Sequence, residues 1–221
     1  MVVLPSHANR YVHFFSIALP TSLIHPRTGN TIVLGLGASK QPQGTPSGWL
    51  RALVSIASFI LGGVGFSLLT RKWGACNRRT LCVSFAVQGL LIVIASCLIQ
   101  TDAVQHQENI FQRPLWSLIP ISLLAIQSAG TINSTRTLGY NEMPGVVLTS
   151  VYYDIASDPA FLIQRNVKRN RRVIGAVMLL LGAIAGGWLN RSKGGMALIL
   201  WIAAFLKLAI SVAWWFWSAA S

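Results

Sequence analysis

Acidic residues are scarce in this chain. Its 221 residues hold 5 Asp and Glu against 18 Lys and Arg, and only 10% of all positions are charged. A soluble domain usually carries about 25% charged residues, so this composition argues against a domain that meets water on every side. Histidine and cysteine are also sparse. The four histidines (His7, His13, His25, His106) are scattered, and the 3 cysteines (Cys76, Cys82, Cys97) have neither metal nor redox spacing. No zinc motif, dinucleotide fingerprint or nucleophile elbow occurs. The run Gly35–Lys40, GLGASK, lacks the spacing of a phosphate-binding loop. The chain is therefore not expected to be an enzyme, and neither a cofactor nor a metal is expected.

Long apolar stretches take the place of charge. Gly48–Leu69, Thr80–Gln100, Leu115–Ser134 and Val173–Leu189 are almost free of it, and Gly195–Trp217 holds only Lys207. Each is close to the ~20 residues a helix needs to cross the hydrocarbon of a bilayer. The fold class expected is thus an all-α integral membrane protein with about five clear transmembrane helices, plus broken or re-entrant segments. Seven of the 8 tryptophans (Trp49, Trp73, Trp116, Trp188, Trp214, Trp215 and Trp217) lie at or near the ends of these stretches, and Trp201 alone lies inside one. Amphipathic rings prefer the headgroup level, so the placement reads as an aromatic belt.

The net charge of +13 fits either a nucleic-acid binder or membrane loops. Its placement separates the two. Arg71, Lys72, Arg78 and Arg79 fill one short gap between apolar stretches, and Arg165, Lys168, Arg169, Arg171 and Arg172 fill another. Neither gap has room for a folded binding domain, and no recognition motif accompanies the charge. The expected partners are the lipid bilayer and a small-molecule solute, not nucleic acid. Both basic gaps should face the cytoplasm. The residues Arg191 and Lys193, which this topology puts outside, oppose it mildly. The membrane is not specified, and both the plasma membrane and an internal membrane fit.

For both basic gaps to share a side, residues 135–163 must not cross completely. The segment is too polar for lipid (Arg136, Asn141, Glu142, Asp154, Asp158) and too apolar for an ordinary loop, and Pro144 with Gly145 breaks it. A broken or re-entrant helix fits this mixture, as does an amphipathic helix lying on the membrane surface. Arg27–Ser39, RTGNTIVLGLGAS, has a similar mixture next to Pro26. Each segment is followed by two apolar stretches around a basic turn. This weak symmetry is that of an inverted repeat with about three crossings per half, an arrangement common in transporters.

These segments carry a family resemblance. Thr28–Gly37, TGNTIVLGLG, resembles the TGNT signature of the YoaK-like uncharacterised membrane proteins. Gln127–Pro159, QSAGTINSTRTLGYNEMPGVVLTSVYYDIASDP, resembles the middle signature of the fungal branch, and Asn166–Leu189 continues it. The resemblance covers roughly residues 27–217 and implies an integral membrane protein of about six spans without an established activity. Residues 27–221 then form a single transmembrane domain. Residues 1–26 depart from the pattern. The family has a full first helix before TGNT, often with an early Asp, whereas here the segment has no acidic residue and only a short apolar run containing Pro20. A degenerate or truncated first helix is the expectation.

Lys207 is the leading site candidate, because a lone charge deep in the bilayer costs about 2.5–3.5 kcal/mol on insertion scales. Its structural alternative is snorkelling, or pairing with a carboxylate. Asp154 is the expected partner. Asn30 and Thr31 could offer polar groups to a solute, or else cap a helix. Gln127 and Asn133 read as interhelical hydrogen bonds, and Arg136 as a partner of Glu142. Gly62, Gly63 and Gly65, and Gly182 with Gly186, read as close helix packing. The functional expectation is a small-solute transporter or permease. The alternative is a non-transporting membrane scaffold or accessory protein.

Overall fold

The computed structural model describes residues 48–74, 77–101, 114–140, 148–158, 166–191 and 195–216. Every element among them is a helix: α1 (Gly48–Trp73), α2 (Arg78–Gln100), α3 (Pro114–Thr137), α4 (Leu148–Ala156), α5 (Val167–Asn190) and α6 (Gly195–Phe216). The helix boundaries follow local chemistry. Gly74, at φ +91°, ends α1 in a left-handed conformation that favours glycine. The side chain of Asn77 accepts from the Arg79 N–H at 3.2 Å and so caps the start of α2. Asn166 does the same for α5, accepting from the Arg169 N–H at 3.1 Å.

Four helices, α1, α2, α5 and α6, are long and apolar enough to cross a membrane. The chain is thus an all-helical integral membrane protein. Helix α3 also has the length to cross, at 24 residues, though it is not one of those four among the described residues. Its polar residues are sheltered by protein: Gln127, Ser128, Thr131, Ser134 and Thr135 are all buried. The reason lies in its neighbours, since α3 packs against both α1 and α2. Helix α2 in turn packs against α6, α6 against α5, and α5 against α4.

The α1–α3 contact depends on Gly62, where a Cβ would stand 2.8 Å from the Cα of Ile126. The small-residue reading thus holds at Gly62. Around Gly63 and Gly65 nothing among the described residues lies within 4 Å of such a Cβ, so these two glycines mediate no packing between the described helices. Gly182 and Gly186 are buried in α5.

Contacts between helices establish which ends lie together. Helices α2 and α3 are antiparallel, with Ser84 beside Ser134 and Gln88 beside Thr131. The end of α6 lies against the start of α2: Ile210 and Trp214 pack on Leu81 and Phe85, and Ser211 donates to the Cys82 carbonyl at 2.8 Å. The guanidinium of Arg171, near the start of α5, sits 5.0 Å from the Tyr140 ring, just beyond α3. One end of the bundle therefore collects the end of α1, the start of α2, the end of α3, the start of α5 and the end of α6. Arg71, Lys72, Arg78, Arg79, Arg136, Lys168, Arg169, Arg171 and Arg172 belong to these helix ends.

Helix α4, at 9 residues, is far short of the ~20 needed to cross. It is held beside the first turns of α5 by an Asp154–Arg172 pair at 3.5 Å and by Asn166 donating to Asp158 at 2.8 Å. The expectation that 135–163 does not cross in one helix agrees with this short element. Residues 141–147 and 159–165 are outside the described residues, as is the whole of Arg27–Ser39, so the repeat pairing has only one described half.

Candidate functional site

The most polar part of the interior is a seam along α2. Thr80, Ser84, Gln88, Ile92 and Ser96 recur every fourth residue, and all are buried. Four-residue spacing keeps one helix face in register, so this face presents polar groups to α3 and α6. Helix α3 answers with Gln127, Thr131 and Ser134, again on one face. Helix α6 contributes Lys207.

Lys207 is 0% exposed. Its ammonium donates to Gln88 Oε1 at 2.7 Å and to Thr131 Oγ1 at 2.8 Å. It also lies 5.2 Å from the centroid of the Phe85 ring, within the range of a cation–π contact. Thr131 is 3.0 Å from Gln88 Oε1, close enough to donate to it. Gln88 Nε2 donates to Ser84 at 3.1 Å, and the Ser84 and Ser134 hydroxyls are 3.3 Å apart. The network thus joins α2, α3 and α6 through a chain of neutral groups with a single cation at its inner end.

No carboxylate reaches that cation among the described residues. Asp154, expected to pair with Lys207, instead faces Arg172 with its side chain 47% exposed. The physical reason is placement: α4 packs on α5 at the basic end, whereas Lys207 lies between α2 and α3. Asp154 is therefore not a member of this site. Snorkelling is also excluded, because the whole Lys207 side chain is enclosed.

The other candidates divide. Asn133 donates to the Phe66 carbonyl at 3.4 Å, an interhelical bond as expected. Gln127 departs from expectation. Its side chain is buried, 1% exposed, yet neither Nε2 nor Oε1 has a hydrogen-bond partner among the described residues. It lies one turn before Thr131, on the same face of α3, where α2 offers Ile92 rather than a polar residue. Arg136 is exposed at the end of α3, and its expected partner Glu142 is outside the described residues, as are Asn30 and Thr31.

Residue-by-residue reading of the sequence missed Ser84, Gln88 and Thr131. The signal was present in the four-residue spacing of Thr80, Ser84 and Gln88 inside an apolar stretch, but only packing against α6 identifies this face as the one that meets Lys207. The two sides of the seam differ. Toward the basic end it continues through Ser84 and Ser134 to Thr80, whose buried hydroxyl has no partner among the described residues. Toward the opposite end a buried apolar cluster of Ile92, Ala95, Leu124, Ile199, Leu200, Ala203 and Ala204 intervenes before Ser96, which donates to the Ala197 carbonyl at 3.3 Å.

The model of a family described as protein of unknown function (DUF1275) matches residues 21–213 of this chain. No curated protein and no solved structure matches it.

Proposed function

The chain belongs to the DUF1275 family of proteins of unknown function, and on that premise we propose that it is a small-solute transporter or permease whose binding site surrounds Lys207. One observation carries this reading: among the described residues, a cation enclosed in a membrane bundle is bonded only to neutral side chains. Structural stability does not call for such an arrangement. A buried charge in a membrane helix is unfavourable by about 2.5–3.5 kcal/mol, and well-packed apolar residues at such a position are often equally or more stable. A charge retained at that depth is a mark of solute or ion pathways.

The asymmetry of the seam supports the same reading. Polar groups run between the site and the basic end, while toward the opposite end an apolar cluster intervenes before Ser96. Both sides are closed in this arrangement, since Thr80, Ser84 and Ser96 are buried, and transport would require α2, α3 and α6 to part on alternate sides of Lys207. The basic end would face the cytoplasm, in keeping with the excess of Lys and Arg there.

The test is reconstitution of the purified chain into lipid vesicles with a panel of labelled solutes. Uptake that exceeds empty vesicles, and that is lost in Lys207→Leu, is the expected result. The reading fails if no solute moves and Lys207→Leu fully rescues the phenotype of a gene deletion.

A further inference from the structure

We infer that the site at Lys207 takes a small monoanion, held by the Lys207 ammonium together with the unpartnered amide of Gln127. The inference rests on the transport reading for its route of access, but not for the chemistry of the site.

The charge balance of the site comes first. The two carboxylates among the described residues are both occupied at α5, Asp154 by Arg172 and Asp158 by Asn166. The partners of Lys207, Gln88 and Thr131, are neutral, and its third N–H has no hydrogen-bond acceptor among the described residues. An ammonium in a low-dielectric interior attracts an anion far more strongly than it would in water. In its ammonium form Lys207 carries a positive charge that no carboxylate among the described residues compensates, and a ligand carrying one negative charge balances it. A cationic solute would meet repulsion here, and a neutral one would leave the charge uncompensated.

The second observation is independent of the charge. Gln127 buries an amide with neither its donors nor its acceptor satisfied among the described residues. A buried polar group left unpaired is unfavourable by about 1–3 kcal/mol. Removing it would be a simple gain in stability, so its presence points to a partner that comes and goes. The Gln127 N–H groups can donate to a second acceptor atom of an anion already held by Lys207. Lys207, Gln88 and Gln127 are each at most 1% exposed, so no void adjoins them in this arrangement, and a ligand reaches them only when α2, α3 and α6 part.

The third observation concerns access. The polar seam leads from Lys207 toward the basic end of the bundle, where Arg78, Arg79 and Arg136 stand at the starts and ends of the seam's own helices. A basic entrance raises the local concentration of anions.

The probe is radiolabelled acetate, with acetamide as its neutral isostere and methylammonium as a cation. Binding to the purified full chain and uptake into vesicles containing it are measured separately. Acetate should bind at least tenfold more tightly than acetamide or methylammonium, and Lys207→Gln should remove about a tenfold or greater share of that preference, as expected for a hydrogen bond to a charged group. Gln127→Leu should raise the melting temperature of the ligand-free protein while weakening acetate binding several-fold. A merely structural glutamine would not produce those opposite shifts, and this variant keeps the inference testable if Lys207→Gln does not fold. Equal binding of acetate and acetamide overturns the inference, as does unchanged acetate binding in Gln127→Leu or in a folded Lys207→Gln. Acetate binding without uptake overturns the transport reading alone, and uptake of neutral solutes without acetate binding overturns the monoanion alone.

Discussion

Replacing Gln88 with Leu should destabilise this protein more than removing the charge it supports. Gln88 Oε1 accepts from Lys207 at 2.7 Å and lies 3.0 Å from the Thr131 hydroxyl, and its Nε2 donates to Ser84 at 3.1 Å. Gln88→Leu deletes these interactions together and leaves a buried ammonium with Thr131 as its one remaining hydrogen-bond acceptor among the described residues, beside the Phe85 ring. Hydrogen bonds are worth about 1.5–3 kcal/mol to a charged group and about 0.5–1.5 kcal/mol between neutral ones. Between membrane helices the average is nearer ~0.6 kcal/mol, so the loss should fall at about 2–5 kcal/mol. Lys207→Met behaves differently. It keeps most of the volume, leaves the Gln88 contacts to Thr131 and Ser84 in place, and removes the ion instead of stranding it. Its change should stay within about 1 kcal/mol of zero, or be stabilising. Denaturation in mixed micelles, followed by the loss of helical circular dichroism, measures both. The double variant should recover part of the Gln88→Leu loss, with a coupling of about 1–3 kcal/mol. If Lys207→Met loses as much stability as Gln88→Leu, or the two losses simply add, the ammonium is a structural support rather than a tolerated charge.

Other substitutions test the packing around this site. Gly62→Ala should weaken the α1–α3 contact by about 1–3 kcal/mol, since its Cβ would meet the Ile126 backbone at 2.8 Å. The same change at Gly65, with nothing among the described residues within 4 Å, should be neutral or gain up to ~1 kcal/mol from helix propensity; melting temperatures in detergent compare the pair. Asp154→Asn should change stability by less than about 1 kcal/mol, because its pair with Arg172 is partly exposed. Trp201→Phe should lose roughly 0.5–1.5 kcal/mol through its 2.9 Å bond to Gln100, whereas a change of 3 kcal/mol or more in the same melts would contradict that assignment.

Membrane residence was legible along the chain because it depends on length and composition alone. An apolar run as long as Thr80–Gln100 has few stable environments other than a bilayer, and where it lies in the fold hardly matters. The depth of Lys207 was legible for the same reason. Helix α3 shows where such reasoning stops. Its residues Leu115–Ser134 read as another span, but whether Gln127, Thr131 and Ser134 face lipid or protein depends on helices far away in sequence. The tryptophans make a similar point. Trp201 reads as interior, yet its indole N–H reaches Gln100, the last residue of α2, while Trp214, near a chain end, is buried against Leu81 and Phe85.

The partner of Lys207 was decided by tertiary structure alone. Sequence reasoning looked for opposite charge within the same half of the chain and found Asp154. The fold brought Gln88 from 119 residues away and Thr131 from 76 residues away, and left Asp154 on the short helix beside α5. Scarcity of acid was a property of the composition from the start. That this scarcity extends to Lys207, leaving it with neutral partners only among the described residues, could emerge just when α2, α3 and α6 were packed together, because hydrogen bonding depends on distances of about 3 Å that no local pattern encodes.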